Sequence, residues 1–330
     1  MKHVKPLPKL VIAQRVLDKM VNVSAQYTED ETGEAMIGFI ATHDDTRTLY
    51  IVETIAPGED VVREVTTFQQ GGEWQDEVLH WLRENWNAVR PSDPRWDYPL
   101  YHLGDWHKQP YDLIHPSNAD RKTAMGWIAD PSNEIRFLIA PIVTVYPKRE
   151  PAQVASAVSN TLGVEGKDGT YTRVDFWYIS LETRLFVPIV PTLEVELPQL
   201  APYPWHLLQT QRASDELHQL EQIGAFAQIV LWDADGSLPL EVCFLIGQVG
   251  SAHLWLLVTG HDYPKHAPHV YQLPFEKMKP DEDLYEFLGR IWEQASKVSE
   301  DQYTWEASQP LAHLVEQLTV PPQSKETHTP

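Results

Sequence analysis

Between Pro188 and Pro204 the chain cannot sustain regular backbone pairing, because Pro188, Pro191, Pro198, Pro202 and Pro204 each fix φ and withhold an N–H donor. A helix interior or a central strand does not run through such a stretch, so it reads as a boundary. It divides 330 residues into two pieces of ordinary domain size. The expected organisation is a first domain over residues 1–198, a second over 199–320, and a polar, disordered tail over 321–330. There is no internal repeat.

Hydrophobic spacing fills in each half. Val11 to Val23 has helical periodicity through Val16, Leu17, Met20 and Val21. Ala35 to Ile40 and Thr48 to Ile55 read as strands, separated by the turn-forming His43-Asp44-Asp45. Trp74 to Trp86 is amphipathic, with Val78, Trp81, Leu82 and Trp86 near one face. A Pro/Asp loop over 91–99 precedes a strand from Leu100 to Trp106, and a helix follows from Pro116 to Trp127 with Ser117 as its N-cap. Ile135 to Val145 and Tyr171 to Val190 supply further strands. After the boundary come a helix (Trp205 to Ile223), three strand-like runs (Phe226 to Trp232, Leu240 to Ile246, Ala252 to Val258) joined by Asp235-Gly236 and Gly247 to Gly250 turns, and two helices (Asp281 to Ser296, Trp305 to Leu318). The first half is α/β or α+β in this reading, and the second is α+β, built on an antiparallel meander; the fold class expected for the chain is α+β.

Composition narrows the function classes. A formal charge of −21 disfavours nucleic acid and anionic membranes as partners; it reads first as a solubility feature, and it would favour a basic protein surface at the encounter stage. No apolar run approaches the ~18 residues that a bilayer-spanning helix needs, and the basic, proline-containing start lacks the apolar core of a signal peptide; a soluble cytoplasmic protein is expected. A single cysteine, Cys243, allows neither an internal disulfide nor a multi-cysteine zinc site.

The densest chemical signal is Gly104-Asp105-Trp106-His107-Lys108-Gln109-Pro110 followed by Pro116-Ser117-Asn118-Ala119-Asp120. Ser117-x-x-Asp120 alone describes an ordinary capped helix start with an acidic residue near the positive end of the dipole. Glu31 alone is one of several acidic residues between Glu29 and Glu34, and His107 alone reads as a satisfied histidine. Taken together, the spacing resembles the JAMM motif of MPN-domain metalloproteases, H-x-H-x(7)-S-x-x-D, and Glu31-Thr32-Gly33-Glu34-Ala35-Met36-Ile37-Gly38 resembles that family's glutamate segment. The resemblance covers roughly the first half of the chain. It implies a cytidine-deaminase-like mixed sheet with flanking helices and a zinc centre of two histidines, an aspartate and water. By position, His107 and Asp120 would be ligands, Glu31 the acid/base and Ser117 the oxyanion donor. The second histidine position holds Gln109, whose amide oxygen is a poorer zinc ligand than imidazole. His115, in the loop leading to Ser117, is a candidate substitute.

In the second half, His261-Asp262-Tyr263-Pro264-Lys265-His266-Ala267-Pro268-His269-Val270 resembles the Tyr-Pro-x-x-x-Pro-x-Val signature of ubiquitin-conjugating enzymes, their inactive variants and RWD domains. Such an enzyme carries its cargo on a cysteine after this segment, and this chain has none there. Cys243 precedes it within an apolar strand and is expected to be buried and inert, and Trp255 is expected in the same core. His261, His266 and His269 read as polar surface.

Together the two resemblances imply a zinc isopeptidase-like protein of a prokaryotic-type ubiquitin-like pathway, with a degenerate metal site and impaired activity. Its partners would be a ubiquitin-like protein or its conjugates, and conjugation-machinery proteins. The alternative is an inactive scaffold that only recognises them.

Overall fold

The computed structural model describes residues 6–44, 46–65, 67–70, 72–110, 112–148 and 159–319. The chain divides into two compact units, Met1–Ala201 and Pro202–Pro330. The expected tail over 321–330 lies outside the described residues.

Unit 1 is built on an eight-stranded mixed sheet. Its elements in chain order are β1 (Lys9–Ala13), α1 (Gln14–Gln26), β2 (Gly33–His43), β3 (Thr46–Ile55), a small β4–β5 hairpin (Val62–Glu64, Thr67–Gln69), α2 (Glu73–Val89), β6 (Tyr101–Lys108), α3 (Asn118–Ala129), β7 (Phe137–Ile139), β8 (Ile142–Tyr146), β9 (Thr161–Glu165), β10 (Tyr171–Asp175), β11 (Trp177–Ser180), β12 (Val187–Pro188) and β13 (Pro191–Glu194). The strand order is β13-β1-β3-β2-β6-β8-β10-β9, with β12-β11-β7 forming a separate three-stranded sheet. β1 runs parallel to β3 and β13, and β6 parallel to β8; the other neighbours in the large sheet are antiparallel.

The central strand β2 is buried along Gly33 to Phe39, as a strand covered on both faces must be. α1 lays Val16, Leu17 and Met20 on the sheet. α2 buries Val78, Trp81, Leu82 and Trp86, and the Trp86 ring stacks on Phe39 with centroids 5.8 Å apart. Burying rings of this size removes a large apolar area from water and anchors α2 to β2.

Several elements differ from the sequence reading. Val11 to Ala13 belongs to β1, not to a helix: Leu10 and Ile12 are buried at a period of two, and the helix begins at Gln14. The run 135–145 splits into β7 and β8 at Pro141, and 171–190 splits into β10, β11 and β12 around a turn that carries Arg184 at φ 55°. β13 lies inside the proline-rich stretch, where Pro191 is tolerated because the strand forms a sheet edge.

Unit 2 contains α4 (Trp205–Leu208), α5 (Thr210–Gln222), β14 (Ala225–Trp232), β15 (Glu241–Gln248), β16 (His253–Thr259), β17 (His269–Pro274), α6 (Leu284–Trp292), β18 (Ser296–Lys297) and α7 (Leu311–Thr319). The five strands form an antiparallel sheet in chain order. One face packs Cys243, Leu245, Leu256 and Leu273 against Phe287, Leu288 and Ile291 of α6. β17 was hidden in the sequence by the prolines before it. The last helix starts at Leu311 rather than Trp305, since Pro310 suits the entry to a helix and not its interior.

Candidate functional site

The site is assembled where β6 ends beside β2. His107 pairs with Gly33 across the antiparallel ladder and with Ile142 of β8 on the other side. Gly33 has no alternative: a Cβ there would stand 2.1 Å from the Trp106 carbonyl oxygen. Gly104 sits at φ 132°, where its bare Cα lets β6 approach the Ile139 carbonyl to a distance that a Cβ would reduce to 2.0 Å. Side chains alternate along β6, so Asp105 and His107 share one face while Trp106 and Lys108 share the other.

α3 delivers the other half. Ser117 caps it: the Asp120 N–H donates to Ser117 Oγ at 3.1 Å, and the Ser117 N–H donates to Asp120 Oδ2 at 2.6 Å. The capping box therefore exists, as the plain reading of Ser-x-x-Asp requires. The same Oδ2 also stands 3.8 Å from His107 Nε2, so capping and site geometry coincide.

Gln109, buried to 7 % exposure, joins this pair. Its amide, oriented to satisfy every neighbour, places its oxygen 3.1 Å from His107 Nε2 and donates from its nitrogen to the carbonyls of Leu113 at 2.5 Å and His115 at 3.2 Å. His115 thus meets the site through its backbone; its imidazole packs on Trp177, with centroids 4.6 Å apart.

Glu31 lies in the α1–β2 connection, two residues before Gly33, half-buried, and its N–H donates to the Glu64 carbonyl at 2.9 Å. Burial, reinforced by the Asp120 carboxylate and opposed by the Lys108 ammonium, raises its carboxyl to about 7. No donor among the described residues bonds the carboxylate. Glu34 is different: it is buried, accepts from the Thr54 hydroxyl and pairs with Lys19 at 3.5 Å. His107 is pushed down by burial, against the pull of Asp120 and Asp105. Beside it, His102 Nε2 contacts Asp105 at 3.0 Å; burial lowers His102, and the Asp105 carboxylate more than reverses this. His102 was noted in the sequence only as a histidine near the Gln109 position; its pairing with Asp105 and the role of Lys108 were not read there.

Zinc donors lie about 2.0–2.2 Å from the ion, so two of them in a tetrahedral shell stand about 3.2–3.6 Å apart. The spans of 3.1 Å (His107 to Gln109) and 3.8 Å (His107 to Asp120) bracket that range. His107 with Asp120, and His107 with Gln109, are thus spaced as two donors to one divalent ion would be, with the amide the weaker donor in kind. Among the described residues no group of three His, Cys, Asp or Glu could hold a metal ion.

In unit 2, the Tyr-Pro segment is an anchor. Tyr263 is buried, its hydroxyl donates to Glu216 Oε1 at 2.6 Å, and its ring lies 4.6 Å from Trp205. Cys243 is fully buried, and burial raises its thiol well above the ordinary range, as expected of an inert thiol. Trp255 is buried as well. His266 contacts Asp262, and His269 stands 3.6 Å from Glu300.

No protein-family model matches the chain. Over 111 residues it is 30 % identical to a CD-NTase/cGAS isopeptidase of Enterobacter hormaechei subsp. hoffmannii, a match covering 34 % of this chain and 53 % of that protein. The chain thus spans about half the length of this bacterial isopeptidase. The solution structure of protein DSY2949 from Desulfitobacterium hafniense aligns with 57 % of this chain and 94 % of its own, at 14 % identity and a TM-score of 0.35, too low to bear on the fold. Among the described residues no helix is long and apolar enough to cross a membrane.

Proposed function

We propose that unit 1 is an isopeptidase-like centre of the JAMM/MPN kind, acting on conjugates of a ubiquitin-like protein, with its metal affinity weakened by Gln109. The observation that carries this reading is Glu31: a half-buried carboxylate with no hydrogen-bond donor among the described residues, raised to about 7 beside Asp120. Acid/base catalysis works best when the group's pKa lies near the working pH, and a structural carboxylate is seldom left in that state. Similarity to a bacterial isopeptidase points the same way.

Each side chain then has a task. His107 and Asp120 would hold a zinc ion together with the Gln109 amide oxygen; when bound, the ion would supply Lewis-acid polarisation and a more acidic water. Glu31 takes a proton from the attacking water and returns it to the departing lysine amine. Ser117 Oγ accepts the Asp120 N–H and keeps its own O–H free to donate to a developing oxyanion. Unit 2, with its buried thiol and no cysteine after the Tyr-Pro segment, serves as a recognition module that resembles a conjugating enzyme without its chemistry.

The test is cleavage of a ubiquitin-like fusion by purified protein, with and without a chelator, beside Glu31→Gln. The reading expects slow, chelator-sensitive cleavage that falls by about 10²–10⁴-fold in Glu31→Gln; equal cleavage by both proteins would remove Glu31 from the mechanism.

One observation favours a second reading, a non-catalytic binding module. The Gln109 amide is satisfied by two backbone carbonyls and His107, so the pair is closed without a metal. A chain that binds a ubiquitin-like protein at micromolar concentration but leaves every fusion uncut would support that reading over the first.

A further inference from the structure

Lys108 is a buried cation flanked in sequence by two candidate ligands, yet its side chain lies on the opposite face of β6 from His107. At 5 % exposure, its ammonium has all three donors engaged by carbonyl oxygens: those of Tyr27, Thr28 at 2.8 Å and Asp30 at 3.3 Å. Its backbone N–H donates to the Thr32 carbonyl at 2.7 Å. Residue 108 therefore fastens the α1–β2 connection at four points on both sides of Glu31. An ammonium withdrawn from water is costly unless its donors are matched, and here it is spent on the main chain of one short connection. Burial lowers its pKa, while the carboxylates of Glu29, Asp30 and Glu31 counter that effect.

We propose that Lys108 is the positioning residue for Glu31: the ammonium grips the carbonyls of Tyr27, Thr28 and Asp30 just before it, the Lys108 N–H holds the Thr32 carbonyl just after it, and the connection so fixed holds the Glu31 carboxylate toward Asp120. A hydrocarbon side chain of similar length would fill the same space and leave three carbonyls unbonded, freeing the connection while the sheet remained intact. The role assigned to Glu31 rests on the isopeptidase reading; the clamp itself does not.

The experiment is backbone hydrogen exchange on the full chain for wild type, Lys108→Met and Lys108→Arg, followed by cleavage kinetics on a ubiquitin-like fusion. Exchange over residues 28–32 is expected to rise about tenfold or more in Lys108→Met, because several charge-assisted bonds are lost, with β8 and α3 unchanged and partial recovery in Lys108→Arg. Cleavage by Lys108→Met is expected to fall through kcat with KM unchanged, and to recover in part in Lys108→Arg. If Lys108→Met does not fold, Lys108→Gln, which keeps two donors on a shorter arm, is read in the same way. Unchanged exchange over 28–32 overturns the clamp. Faster exchange without any loss of kcat overturns the positioning role. A wild-type chain that cleaves nothing removes the isopeptidase reading, and the exchange data then decide the clamp alone.

Discussion

Glu31 in unit 1 and Glu216 in unit 2 are the same residue type withdrawn from water, and they have opposite consequences. Glu216, 2 % exposed, accepts from the Tyr263 hydroxyl at 2.6 Å, the Leu311 N–H at 2.6 Å and Arg212 at 3.0 Å. It ties α5, the Tyr-Pro segment and the start of α7 into one network. Glu31 is less buried and has no donor among the described residues; its carboxyl is raised to about 7 by burial and Asp120. Burial alone therefore does not decide what a carboxylate does. The difference between the two is the set of donors around the charge: Glu216 has three, and Glu31 has none among the described residues.

Three perturbations sharpen that contrast. The largest effect is expected at the structural carboxylate: Tyr263→Phe leaves Glu216 short of a donor in a dry site and should cost about 2 kcal/mol of unit 2 stability in denaturant unfolding. A loss near zero would mean that water or Arg212 replaces the hydroxyl and that the network is less closed than its geometry.

Next comes the pH dependence of the metal-free protein. The folded pKa of Glu31 lies above its unfolded value of 4.5, so ionising it opposes folding. Below about pH 4.5 both states are protonated and the penalty is absent; it grows as pH rises and is complete above about 7. Glu31→Gln should then stabilise the chain by about 1–2 kcal/mol at pH 8, after allowance for solvent screening, and by nothing at pH 4. Thermal unfolding at the two pH values checks this, and a pH-independent difference would show that Glu31 is not strained.

The smallest effect concerns the cap. Ser117→Ala removes the acceptor of the Asp120 N–H and should cost about 1 kcal/mol by denaturant unfolding of unit 1. Since Asp120 is held by the same box, zinc affinity should fall with it; a stability loss without any change in affinity would separate capping from the site.

The sequence made some of this legible and hid the rest for identifiable reasons. Helix α2 was readable because Val78, Trp81, Leu82 and Trp86 recur at helical spacing. The meander of β14 to β16 was readable from apolar runs parted by Asp235-Gly236 and Gly247–Gly250, with Gly236 and Gly250 at positive φ. The meeting of His107 with Asp120 was legible only as spacing, and Gln109 was visible as a departure whose geometry needed coordinates. β1 was masked because Leu10 and Ile12 run into a helical pattern without a break. Lys108 was invisible as a clamp, because its partners are backbone carbonyls some eighty residues earlier, and no side-chain pattern encodes them.

The most direct measurement is a zinc titration of wild type, Asp120→Ala and Gln109→His, read by calorimetry. The account predicts one weak site per chain in the wild type, its loss in Asp120→Ala, and a gain of at least about 10–100-fold in affinity when imidazole replaces the amide in Gln109→His. Binding unaffected by Asp120→Ala, or no binding even in Gln109→His, would contradict it.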